Sequence, residues 1–150
     1  MQGLPPGEIP EPLISADEIE AFFDRDFPQV HQDGRVFTIR SIERGKTVFR
    51  LDPNEKHLRP GGTVSGPALF ALADVGAYVC ILAHIGIVEH TVTTNMNINF
   101  MRKAAPGPID CTSTLMKLGK RLAVVDNTMR DQDGNIVAHA TGTYAIPVIR

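Results

Sequence analysis

Apolar and polar positions change period several times along the chain. Ile19, Phe22 and Phe23 share one helical face, and Ser15-Ala-Asp-Glu18 ahead of them has the spacing of a capping box. Pro28 ends that short helix. Residues 35–42 and 47–51 are β-rich runs joined through Glu43-Arg-Gly-Lys46, which reads as a hairpin. A loop with Pro53, Asn54, Pro60, Gly61 and Gly62 follows. Residues 67–88, PALFALADVGAYVCILAHIGIV, are apolar nearly all round and predict a buried helix. The period then drops to two: Val92, Thr94, Met96, Ile98 and Phe100 alternate with Thr93, Asn95, Asn97 and Asn99. Pro106-Gly107-Pro108 breaks this strand. Residues 109–118 and 121–130 make two more strands around Gly119-Lys120, and Asp133-Gly134 turns the chain into a last one, 136–146.

The expected architecture is α+β: a curved, mostly antiparallel sheet of five to six strands around one central helix, with a short N-terminal helix. Residues 1–34 form an arm and that short helix, and residues 35–150 form the main domain. A single sheet leaves edges and an incompletely covered helix face, and both predict pairing with a second copy.

A chain of 150 residues can bury a full core without staples. Fifteen Lys and Arg against 17 Asp and Glu leave a net charge of −2, which argues against a nucleic-acid partner. Residues 67–88 have the length of a membrane span, but Asp74 lies inside them at a cost of about 2.5–3.5 kcal/mol, so no membrane is expected. The N-terminus lacks the basic and apolar regions of a signal peptide. Cys80 and Cys111 form no CxxC, which fits a reducing, cytoplasmic setting and two buried small side chains.

The chemistry concentrates between Arg59 and Asp74. Ser65 or Gly66 can cap the helix and Pro67 suits its first turn. Free amides there point at whatever occupies the loop, and a carbonyl oxygen gaining negative charge is one candidate. Asp74 sits two turns in, among Phe70, Ala71, Ala77 and Tyr78, with no Lys or Arg on the helix to pair with it. A carboxylate there needs a partner from elsewhere or a function, as a general base or nucleophile. Other templates fail. Gly61 to Gly66 has P-loop glycine spacing but Pro67-Ala68 where Lys-Ser/Thr is needed; there is no G-x-S-x-G, H-E-x-x-H or G-x-G-x-x-G. The five His are scattered, so no metal site is expected.

The helix-capping loop, Leu72-Ala73-Asp74, the strand Asn95-Met-Asn-Ile-Asn-Phe-Met101 and the Gly119-Lys120 turn resemble hotdog-fold acyl-CoA thioesterases, in the branch with the phenylacetate-pathway (PaaI-like) enzymes of the 4-hydroxybenzoyl-CoA thioesterase superfamily. The resemblance covers about residues 35–146. It implies a helix wrapped by an antiparallel sheet, dimers or dimer-of-dimers tetramers, and active sites between subunits. It makes Asp74 the base or nucleophile and the Gly66 amide the donor to the thioester oxygen. Thr93 of the partner subunit would help place water. The family often reads Asn-x-x-Gly-x-x-His-Gly-Gly before its helix; this chain keeps Gly62 and Gly66 but has Arg59, Ser65 and Pro67 at the Asn, His and last Gly. Ser65 can hydrogen-bond but is no imidazole base, and Pro67 removes one amide.

The implied substrate is an acyl-CoA, with coenzyme A part of the substrate and no separate cofactor. Arg59, Gly62 and Asn95 are expected at the substrate. Arg102, Lys103, Lys117, Lys120 and Arg121 are expected near strand ends, some of them on the coenzyme A phosphates. Phe70, Tyr78 and the alanines of the helix are expected along the acyl tunnel. Two alternatives use the same fold. A hydratase would work with His57 and an acid, through Asp52-Pro-Asn-Glu-Lys-His57. A silent acyl-CoA binder would show affinity without turnover.

Overall fold

A computed structural model of the chain describes residues 8–148, and proline-rich residues 1–7 of the arm lie outside them. Helix α1 is Ala16–Asp26, and strands β1 and β2 are Phe37–Glu43 and Lys46–Leu51. Helix α2 is Gly66–Ile85, followed by β3 (Val92–Phe100), β4 (Ile109–Leu118), β5 (Leu122–Arg130) and β6 (Ile136–Ala145). Short 3₁₀ turns at Pro28–His31 and Glu55–His57 were not marked by the periodicity. All six strands join one antiparallel sheet in the order β1-β2-β4-β5-β6-β3.

The capping box forms as expected: the Ser15 hydroxyl accepts from the Glu18 amide at 3.2 Å, and the Glu18 carboxylate accepts from the Ser15 amide at 3.2 Å. Helix α2 stops at Ile85, three residues short of the apolar run. Gly86 takes φ +90° and its N–H returns to Leu82 O, which a residue with a Cβ would resist.

The sheet wraps α2. Inward positions of β2, β4 and β5, such as Phe49, Leu51, Ile109, Cys111, Val125 and Met129, are fully buried against it. Burying one such large side chain contributes about 1.5–3 kcal/mol, so the low polarity of α2 is accounted for by the sheet around it. The helix is long and apolar enough to cross a bilayer, yet 72% of its most apolar window is buried inside the chain.

Helix α1 covers the flank of α2 that the sheet leaves open. Ile19, Phe22 and Phe23 are buried, and Phe23 stacks on Tyr78 with ring centroids 6.5 Å apart. The preceding arm reaches the far end of α2, where the Leu13 amide donates to Ala83 O at 2.7 Å. Strand β3 is a sheet edge, and Val92, Phe100 and Met101 on or beside it are exposed.

Candidate active site

Asp74 finds its partners on the sheet. Thr93 Oγ1 donates to Asp74 Oδ1 at 2.6 Å. The Tyr144 hydroxyl donates toward the same oxygen at 2.8 Å and toward the Asp74 carbonyl at 2.9 Å. Oδ2 receives no donor among the described residues. This corrects the role expected for Thr93: it bonds the carboxylate of its own chain rather than reaching in from a partner subunit.

A break in alternation aims Thr93. The β3–β6 register shifts between Thr93 and Asn95, so Thr94 is an extra residue, with its hydroxyl on Thr143 O at 3.1 Å. Met96 and Ile98 pack on the core. Unbroken alternation from them would turn Thr94 to the helix and Thr93 away. The bulge reverses the parity, and Thr93 meets Asp74.

Tyr144 lies opposite Thr93 on β6 and is 1% exposed. Burial pushes its phenol far above the ordinary range, and the Asp74 charge beside it pushes the same way. It therefore stays a proton donor at neutral pH. Sequence reading missed this residue, because an inward aromatic on a strand looks like ordinary core.

A cavity of about 470 Å³ opens beside Asp74, walled by Phe22, Phe27, Val75, Tyr78, Thr93 and Tyr144. Burial pushes the Tyr78 phenol up to about 12, with the Glu89 charge adding to it. Phe70, expected on a tunnel wall, is instead 39% exposed and away from this cavity.

The start of α2 forms a second locus. Ser65 is the cap: its Oγ accepts from the Ala68 amide at 3.2 Å and its carbonyl from the Leu69 amide at 3.1 Å. Pro67 has no N–H. Gly66 is thus left with the first-turn amide that has no partner among the described residues. A Cβ on Gly66 would stand 3.2 Å from Phe100 Cζ, so the glycine lets that ring lie against the helix start. Gly62 (φ +83°) shapes the turn that carries Arg59, and its amide donates to Arg59 O at 2.9 Å. A cavity of about 580 Å³ gathers Arg59, Gly66, Phe100, Arg102 and Lys103.

Other expected residues lie elsewhere. Lys117, Lys120 and Arg121 belong to the β4–β5 hairpin, where Arg121 O accepts from the Ile146 amide at 2.8 Å. That end of the sheet is where β3 begins, whereas Arg102 and Lys103 follow its end. The basic residues therefore divide between opposite ends of the sheet. Asn95 is exposed on β3 and lines neither cavity. His57 is 5% exposed, its Nδ1 accepts from the Asn54 amide at 3.0 Å, and it lines a different cavity from Asp74. Its ring braces the loop before α2. Gly66 and Asp74 are eight positions apart, which is about 12 Å of helix rise.

Residues 61–138 match the sequence model of the Thioesterase superfamily. The chain belongs to that superfamily. Its chemistry is therefore that of a hydrolase acting on thioesters, and the helix wrapped by an antiparallel sheet is the hotdog fold. The crystal structure of a "putative thioesterase" from Silicibacter sp. TM1040 is similar, with 41% identity and a TM-score of 0.82 over 92% of this chain and 95% of that one. A 1,4-dihydroxy-2-naphthoyl-CoA hydrolase of Listeria monocytogenes is 25% identical over 108 residues, 72% of this chain and 88% of its own length. The PaaI protein of the E. coli phenylacetic acid degradation operon shares the fold, with a TM-score of 0.73, 22% identity and coverage of 88% of this chain and 92% of that one.

Proposed function

We propose that this superfamily member hydrolyses an acyl-CoA thioester, with Asp74 as general base or nucleophile. The observation that carries the reading is the Asp74 carboxylate, tied by one oxygen to Thr93 and Tyr144 at the wall of a cavity of about 470 Å³. As a base, Oδ2 takes a proton from water as the water oxygen bonds to the thioester carbonyl carbon. The C–S bond then breaks and coenzyme A leaves as the thiol. As a nucleophile, Oδ2 forms that bond itself and water cleaves the resulting anhydride.

The developing oxyanion needs a donor, and the free Gly66 amide has the right character. Within one chain it stands about 12 Å along the helix from Asp74, too far to act on the same carbonyl. Two copies solve this. Gly66 lies by Phe100 and Asp74 by Thr93, at opposite ends of edge strand β3. If two β3 edges pair antiparallel about a two-fold axis, the Gly66 end of one copy comes to the Asp74 end of the other. The exposed apolar side chains of β3 would be covered in the same step. The site is then completed by a homodimer.

The aromatic wall of Phe22, Phe27 and Tyr78 suits the acyl group, and Arg59, Arg102 and Lys103 suit the coenzyme A phosphates by charge-assisted bonds. The test is thiol release from short, medium, long and aryl acyl-CoAs with wild type and Asp74→Asn side by side. The expected result is turnover on part of the panel, cut at least about a hundredfold by the substitution. Binding of acyl-CoA without release of thiol would overturn the reading in favour of a silent binder.

A further inference from the structure

Asp74 is held asymmetrically. Both nearby hydroxyls, Thr93 at 2.6 Å and Tyr144 at 2.8 Å, converge on Oδ1. The Tyr144 hydroxyl also lies 2.9 Å from the Asp74 main-chain carbonyl, so its single proton is shared between two acceptors of the same residue and its tip is held against the helix. The ring has little freedom. It is 1% exposed, and it lies along β6 over Gly142, where an added Cβ would stand 3.0 Å from Tyr144 Cε1 and 2.8 Å from Met96 Cε. Gly142 pairs with Met96 just past the Thr94 bulge, so bulge, glycine and tyrosine form one local arrangement. That arrangement delivers two donors to a single carboxylate oxygen.

We propose that Tyr144 is a positioning residue for the hydrolytic step: its hydroxyl, with that of Thr93, pins Asp74 Oδ1 and thereby reserves Oδ2 for the water or the thioester carbon. The proposal rests on the reading of Asp74 as base or nucleophile. A carboxylate held at one oxygen loses the rotation about its terminal bond, so the reactive oxygen is placed before substrate arrives. The phenol keeps its proton throughout the working pH range, because burial and the Asp74 charge both oppose its ionisation. Tyr144 does not give up that proton in the reaction; it acts through Asp74.

The experiment compares Tyr144→Phe, Gly142→Ala, Thr93→Val and Asp74→Asn in thiol release from the preferred acyl-CoA, with thermal unfolding of each protein. Tyr144→Phe keeps the ring and its packing. It is expected to lower kcat at least about tenfold while KM stays within about twofold. Gly142→Ala displaces the ring with its hydroxyl intact and is expected to lower kcat in the same direction by less. Thr93→Val combined with Tyr144→Phe is expected to depart from the product of the two single losses, since both groups serve one oxygen. A Tyr144→Phe enzyme with wild-type kcat, beside an inactive Asp74→Asn, would overturn the proposal. So would a loss confined to KM.

An activity-free arm uses unfolding. The drop in Tm caused by Tyr144→Phe is expected to be larger with Asp74 present than in Asp74→Ala, and equal drops would overturn the contact. Absence of turnover in the wild type would sink the proposed function instead. The unfolding comparison would then still decide whether the phenol holds the carboxylate.

Discussion

Helix α2 carries one carboxylate and one imidazole on a largely apolar surface, Asp74 and His84, ten positions apart. Their surroundings differ in kind. His84 is 1% exposed and both ring nitrogens are engaged: Nδ1 lies 2.7 Å from Cys80 O, and Nε2 accepts the Gly45 amide at 2.8 Å. The ring joins the end of α2 to the β1–β2 hairpin and has nothing left to offer. Asp74 is only partly buried, faces a cavity and has one oxygen without a donor among the described residues. A polar group in apolar surroundings therefore signals function only when some of its bonding capacity is left over and a space adjoins it.

The largest effect should come from the open position. Asp74→Asn keeps the size of the side chain, and kcat is expected to fall at least about a hundredfold with Tm nearly unchanged. If instead Tm collapsed and kcat per folded molecule survived, the contrast with His84 would be broken. His84→Leu is the mirror experiment. It leaves the Gly45 amide buried without a partner and should cost about 1–3 kcal/mol in urea unfolding, with kcat per folded molecule preserved.

The first turn of the helix extends the open region, and a smaller effect is expected there. Replacing Arg102 and Lys103 together by Ala should raise KM for acyl-CoA about tenfold, or about 1.4 kcal/mol. A pantetheine thioester without the nucleotide should be unaffected. Equal changes for both substrates would remove the cavity beside Gly66 from the site.

The smallest effect tests how well the closed end is sealed. Burial pushes the Cys80 thiol up to about 11 and the Cys111 thiol up to about 12, from an ordinary value of 9.0. Between 9.0 and those values the unfolded chain has released protons that the folded chain retains. Stability from this source is complete below about pH 9 and falls as the pH rises toward 11 and 12. The urea midpoint should decline over that window, and Cys111→Val should flatten the decline. A flat profile in the wild type would show water reaching the thiols.

Much of this was legible in residue order. Period two marked β3, β-rich runs between turn signals marked the other strands, the apolar run marked α2, and Asp74 stood out as an acid on that run. Helix ends were less legible, because Gly86 stops α2 through backbone conformation while Ile87 and Val88 continue the hydrophobic pattern. The partners of Asp74 were hidden for a different reason. Thr93 lies on the outward parity of β3 until a bulge reverses it, and nothing in Thr93-Thr94-Asn95 announces a bulge. Tyr144 fits the inward pattern of β6 equally well as filler or as donor. Proximity to strand ends does not say which end of the sheet: Lys117, Lys120 and Arg121 share the end where β3 begins, and Arg102 and Lys103 follow its other end.

The segment contributing Phe22 and Phe27 to the cavity wall precedes the span 61–138 that carries the superfamily signature, while Asp74 and Thr93 lie inside it. Part of the proposed acyl wall is thus written ahead of the stretch that carries Asp74, with Tyr78 inside that stretch and Tyr144 beyond it. If the proposed function holds, exchanging the leading helix between relatives should change which acyl group is preferred while Asp74 and Thr93 stay in place.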